Sequence, residues 1–153
     1  GDEDKKRCAK IYCSYFSDVV PRETLVLRPR VLCVGIGCNR GTSCEDIKSF
    51  LFTVLDAEQL SPGSIINFST TELKKDETGL NQLSKQMGIP MAYYNNEALN
   101  SVDTIKNPSK MAQKHIGAKS VCEAAAILSA NNGELIVPKK KNKDVTIAVA
   151  VKQ

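Results

Sequence analysis

The residues with the most chemical content are Gly35-Ile36-Gly37-Cys38-Asn39-Arg40-Gly41-Thr42-Ser43, a glycine-rich stretch between an apolar run and an amphipathic one. Glycines let backbone adopt conformations closed to other residues and let a ligand approach the main chain. If a helix begins here, its unpaired first-turn N–H groups and its dipole favour a carboxylate or phosphate, and Arg40 adds a charge-assisted bond. The dinucleotide fingerprint G-x-G-x-x-G fails because Arg40 stands where its third glycine should be, and the P-loop fails because Gly41 stands where its lysine should be. From spacing alone, an anion-receiving turn and a plain strand-to-helix corner fit equally well.

A second cluster, Thr70-Thr71-Glu72-Leu73-Lys74-Lys75-Asp76-Glu77, offers acid and base together. Residue by residue, a solvated helix start with Asp76 as cap and Glu77 complementing the dipole accounts for it better than catalysis does. Lys139-Lys140-Lys141 reads as a charged turn, and His115 as a capping or surface histidine. The cysteines at 8, 13, 33, 38, 44 and 122 contain no C-x-x-C pair and no zinc spacing, so all are expected to be reduced and no metal site is expected.

The elements that must position these clusters alternate along the chain. Residues 1–26 read as a lead-in or connector, with Ile11–Phe16 as an added edge strand, and 27–153 as the domain proper. Arg30–Ile36 is a buried strand. From Thr42, with Glu45 completing a capping-box pattern, Ile47, Phe50, Leu51, Val54 and Leu55 recur at i, i+3, i+4, i+7, i+8, which is one face of a helix. Ser64–Phe68 is a second strand, and Asp76–Met87 a second helix stopped by Gly88 and Pro90. Met91–Tyr94 is a third strand, Asn96 caps a short helix around Leu99, and Asn107-Pro108 opens another that Gly117 closes. Ser120 and Glu123 form a capping box ahead of Ala124–Ala130, and Leu135–Val137 with Val145–Val151 make a terminal hairpin. The pattern predicts an α/β fold, a three-layer α/β/α sandwich around a mixed, mainly parallel sheet. Right-handed crossovers would bring both chemical clusters to one sheet edge.

Composition narrows the partners. With 21 basic against 17 acidic residues, a net charge of +4 and 5% aromatics, the chain lacks the bias and the stacking platforms of a nucleic-acid binder. Its 42% hydrophobic content is globular rather than disordered, and the longest apolar run, Val145–Val151, is strand length, so neither a membrane span nor a signal peptide is expected and the location is expected to be cytoplasmic.

Four ordered blocks, VGIGCNRGTS at 34–43, TTELKKDETGL at 70–80 with the MGIP that follows, NPSKMA at 107–112 and SVCEAAAILSA at 120–130, resemble the C-terminal domain of CbiG and its stand-alone counterpart CobE. CbiG is the cobalt-precorrin-5A hydrolase of cobalamin biosynthesis. The resemblance spans Leu27–Val151, departing at Cys44 and Cys122, where the family often has a small residue. It implies a hydrolase that opens the δ-lactone of a cobalt corrinoid and releases acetaldehyde, or alternatively a domain that only binds or carries the corrinoid. A full hydrolase also carries an N-terminal region, which, with other enzymes of the pathway, is an implied partner. Cobalt would arrive within the substrate, and no cofactor of the protein's own is implied. The substrate's many carboxylates would meet Gly35, Gly37, Cys38, Asn39, Arg40, Gly41, Thr42, Ser43, Lys74 and Lys75. Asp76 or Glu77 would activate water, with the glycine-turn N–H groups steadying the oxyanion.

Overall fold

A computed structural model describes residues 10–17, 24–106 and 120–152, with backbone alone at 10–12, 24–26 and 103–106. The elements are β1 (Lys10–Cys13), β2 (Thr24–Leu27), β3 (Leu32–Cys38), α1 (Cys44–Ala57), β4 (Ile65–Thr71), α2 (Thr78–Met87), β5 (Met91–Tyr94), α3 (Asn96–Lys106), α4 (Val121–Ser129), β6 (Glu134–Lys141) and β7 (Val145–Val151). Five strands form one sheet in the order β5-β4-β3-β7-β6. β3, β4 and β5 pair in parallel, and β7 runs antiparallel to both β3 and β6. Four of the five strands therefore share a direction.

β3 is central and covered on both faces, which is why its sequence is a nearly continuous apolar run. Leu32, Val34 and Ile36 face α1 and α2, packing with Ile47, Leu51, Leu55, Phe68, Leu80 and Leu83. Cys33 faces the opposite layer, with Leu99 and Val102 of α3, Cys122 and Ala124 to Ile127 of α4, and Ala148 and Ala150 of β7. The three layers and the terminal hairpin match the sequence expectation.

The second layer is tight because its residues are small. A Cβ on Gly35 would lie 1.9 Å from the carbonyl oxygen of Cys122, so the absent side chain lets α4 lie directly on β3. Ser120 caps α4 by accepting from the Glu123 N–H while a Glu123 carboxylate oxygen accepts from the Ser120 N–H, the capping box read in the sequence. Further along, the Cys33 thiol donates to Ser129 O at 3.4 Å, and Ser129 Oγ meets Ser69 Oγ at 3.4 Å, which links β3, β4 and α4 within this layer.

Several expectations shift. Ile11–Phe16 does not join the main sheet as an edge strand: Lys10–Cys13 pairs in parallel with Thr24–Leu27 in a separate two-stranded sheet. Arg28 Nη1 donates to Ser14 O at 3.0 Å and Ser61 N to Tyr15 O at 2.7 Å, tying residues 14–15 to the domain. Lys139–Lys141 lie within β6, not in a turn. β6 is the sheet's edge, where lysines oppose pairing with another strand. The turn is made instead by Asn142, whose Oδ1 accepts from the N–H groups of Asp144 and Val145. Asn95, not Asn96, caps α3, its Oδ1 accepting from Ala98 N at 2.8 Å. The helix expected from Asn107 to Gly117, with His115, and the expectation for Cys8 lie outside the described residues; Cys13, Cys33, Cys38, Cys44 and Cys122 are free thiols.

Candidate functional site

The carboxyl end of β3 turns sharply after Cys38. Asn39 is anchored to the hairpin turn, its N–H donating to Asp144 O at 2.9 Å and its Nδ2 to Asp144 Oδ1 at 3.0 Å. Thr42 closes the loop on itself, with Oγ1 donating to Asn39 O at 2.6 Å. Gly41 sits at φ +81°, a left-handed conformation that L side chains adopt rarely, so glycine is required at this point of the turn. The expected Thr42–Glu45 capping box does not form. Ser43 is the N-cap, its Oγ accepting from Asp46 N at 3.1 Å, because Thr42 is already committed to the turn.

The neighbouring strand β4 ends in a short 3-10 turn, Glu72–Lys74, which Thr71 caps by accepting from Leu73 N. This turn delays the helix: α2 starts at Thr78 rather than Asp76, with Glu77 in the N-cap position. The Glu77 carboxylate makes no capping bond to its own helix. It turns instead into the glycine turn, where Oε1 lies 3.3 Å from Arg40 Nη1 and 3.9 Å from Lys74 Nζ, and Oε2 accepts from Gly41 N at 3.4 Å. Its side chain is only 5% exposed. Asp76, expected as the cap, is exposed and accepts from Arg40 Nη1 at 3.1 Å, while Arg40 Nη2 donates to Leu73 O at 3.2 Å.

The two motifs thus share the sheet edge that the alternation predicted. They are pressed together at Gly79, where a Cβ would lie 2.3 Å from Thr42 O. Between them is a cleft of about 400 Å³ lined by Arg40 to Cys44, Asp76 to Gly79 and Gln82. Its electrostatics follow from the contacts. The hydrogen bond from Arg40 holds the Asp76 carboxyl below the usual carboxylate range, and the same bond raises Arg40 above its ordinary value. Burial pushes the Cys38 thiol up, opposed in part by the charge of Lys74, so Cys38 is held as the neutral thiol.

Of the expected site residues, Arg40, Gly41, Thr42, Ser43, Asp76 and Glu77 come together in the cleft, and Lys74 borders it through Glu77. Gly35 is buried beneath α4, and Gly37 lies against Thr146, its neighbour on β7. Cys38 and Asn39 lead into the turn, with Asn39 engaged by Asp144. Lys75 points elsewhere, its Nζ 5.6 Å from the centre of the Tyr93 ring. Cys44, Thr78, Gly79 and Gln82 line the cleft without having been singled out. Gly79 carried a usable signal, since a glycine in a helix's first turn commonly marks a close approach.

Both acids are engaged by donors of the chain in this arrangement. A base needs an oxygen free to take a proton and a pKa near the working pH. Asp76 is held acidic by Arg40, and both Glu77 oxygens face donors of the chain. What the edge does present is an arginine at the mouth of a cleft, its side chain 63% accessible.

A family model described as "Cobalamin synthesis G C-terminus" matches residues 32–150. The chain belongs to that family. It is 41% identical over 127 residues, 83% of its length, to a cobalt-precorrin-5A hydrolase of Priestia megaterium. It is 32% identical over 132 residues, 86% of its length, to the cobalt-precorrin-5A hydrolase of Salmonella typhimurium. The chain covers 34% and 37% of those two proteins, about a third of their length. The crystal structure of CobE, a protein from the cobalamin (vitamin B12) biosynthetic pathway, superposes with a TM-score of 0.66 at 29% identity, covering 79% of this chain and 93% of that one. A domain of cobalamin biosynthesis with a mixed, open α/β sheet therefore agrees with both the sequence reading and the observed topology. No helix among the described residues is long and apolar enough to cross a membrane.

Proposed function

We propose that this domain is the carboxylate-receiving part of a cobalt-precorrin-5A hydrolase, the enzyme that opens the δ-lactone of a cobalt corrinoid and releases its two-carbon fragment as acetaldehyde. The observation that carries this reading is Arg40, held at the mouth of the cleft by Leu73 O, Asp76 and Glu77 with most of its side chain open to solvent. A planar guanidinium matches a carboxylate bidentately, and the acetate and propionate side chains of a corrinoid offer many such groups. Lys74 adds positive charge beside it, and Gly41 lets the main chain turn without a side chain in the cleft. Cobalt belongs to the substrate in this reading. Five free thiols among the described residues are in keeping with a reducing, cytoplasmic setting.

The engagement of Asp76 and Glu77 by Arg40 favours binding over chemistry at this edge, so the water-activating group is assigned to another part of the complete hydrolase. The test is to incubate this chain with cobalt-precorrin-5A while coupling acetaldehyde to NADH oxidation by an alcohol dehydrogenase. A shift in the corrinoid absorption spectrum without aldehyde is expected. Aldehyde release by this chain alone would move the chemistry into this domain, and no spectral shift at all would remove the corrinoid reading.

A further inference from the structure

Both cations of the cleft are already answered by carboxylates of the chain itself, but the two carboxylates are not equivalent. Glu77 is enclosed, 5% exposed, and it also receives the Gly41 N–H, so it belongs to the framework of the turn. Asp76 is 75% exposed and meets Arg40 Nη1, the nitrogen that also donates to Glu77, at 3.1 Å; the Arg40 side chain is itself 63% exposed. The bond joins two solvated side chains and buries nothing. It nevertheless occupies the donor that an incoming carboxylate would need.

We propose that Asp76 is an intramolecular stand-in for a ligand carboxylate, holding Arg40 in the empty site and giving way when a corrinoid side chain binds, while Glu77 and Leu73 O keep the guanidinium in place. The inference rests on the reading of this cleft as a carboxylate receptor. It gives Asp76 a role in specificity. A small monocarboxylate that displaces Asp76 exchanges one exposed ion pair for another and gains almost nothing. A polycarboxylate bound at several points makes the same exchange within an already tethered complex, where effective concentration favours the ligand. Asp76 would thus suppress occupation by abundant small acids and leave the site to a ligand with many carboxylates.

The experiment titrates the chain with cobyrinic acid, a stable cobalt corrinoid with free side-chain carboxylates, followed by its absorption spectrum. The proteins are wild type, Asp76→Asn, Arg40→Gln, the double variant, and Glu72→Gln, which removes an exposed charge from the same turn. Asp76→Asn is expected to tighten binding about two- to fivefold, the scale of an exposed ion pair, and to let acetate compete at lower concentration. In the Arg40→Gln background that gain should vanish, because the two side chains act through one contact. Glu72→Gln should give a smaller gain than Asp76→Asn. If Asp76→Asn weakens or leaves binding unchanged while Arg40→Gln weakens it, the stand-in role is overturned and the carboxylate receptor stands. A gain that persists without Arg40 also overturns it, as a general charge effect. If no protein binds saturably, the receptor reading falls and this inference falls with it.

Discussion

Gly35→Ala separates packing from ligand contact within the glycine-rich stretch. An ideal Cβ at this position would lie 1.9 Å from Cys122 O, 2.8 Å from Cys122 C and 3.0 Å from Ala126 N. All three are main-chain atoms inside a regular helix, so no side chain can rotate away. Restoring an ordinary contact to the oxygen requires α4 to withdraw from β3 by at least about 1 Å, and α4 also packs through Ala124, Ala125 and Ile127, all 2% exposed or less. Overpacking of a close-packed core costs about 1–3 kcal/mol, and a clash with rigid backbone belongs at the upper end. A loss of about 2–3 kcal/mol would lower Tm by roughly 6–12 °C for a chain of this size. Urea unfolding followed by far-UV circular dichroism, alongside calorimetry, measures both, with the m-value expected to be unchanged. A variant within about 0.5 kcal/mol of wild type would refute the close approach of α4 to β3.

Gly41→Ala should cost less, about 1 kcal/mol, since no atom lies within 4 Å of its Cβ and only the left-handed φ of +81° opposes it; the same unfolding assay ranks the two variants. Ser120→Ala should destabilise by about 1 kcal/mol through loss of the α4 cap, and Ser120→Asp should recover most of it in urea midpoints. Carboxyl NMR titration should find Asp76 protonating below the ordinary aspartate range, and Arg40→Gln should move its midpoint upward. Because the folded-state value is depressed, the contribution of this ion pair is present above the unfolded aspartate pKa and is lost as pH falls through the folded value. An Asp76 midpoint indifferent to Arg40→Gln would contradict the contact.

The elements legible in the sequence were those set by local pattern. The β-branched run of β3 and the face of α1 follow from periodicity, and the capping box of α4 and the terminal hairpin follow from residue types at fixed spacing. The mixed sheet and its chemical edge followed from alternation and crossover handedness. Pairings across elements were not legible. Asp76 and Glu77 read as a solvated helix start because nothing within their own segment announces Arg40, which comes from a different loop. The 3-10 turn that shifts α2 by two residues is a local tightening that helical periodicity cannot resolve. Gly35 looked like part of a ligand-facing turn, since its real neighbour, the Cys122 carbonyl, is brought in by α4 much later in the chain. The lysines of β6 were read as a turn because edge strands and turns share a solvated, charged composition.

The central claim is that the edge built by Arg40, Lys74 and the glycine turn receives carboxylates of a cobalt corrinoid. It is tested most directly by comparing cobyrinic acid binding to wild type, Arg40→Gln and Lys85→Gln by absorption titration. Lys85 lies in the last turn of α2, three residues beyond Gln82 and outside the lining of the cleft, so Lys85→Gln controls for net charge. Saturable binding that weakens about fivefold or more in Arg40→Gln and changes less than about twofold in Lys85→Gln is the predicted result. Equal affinity in all three proteins would contradict it.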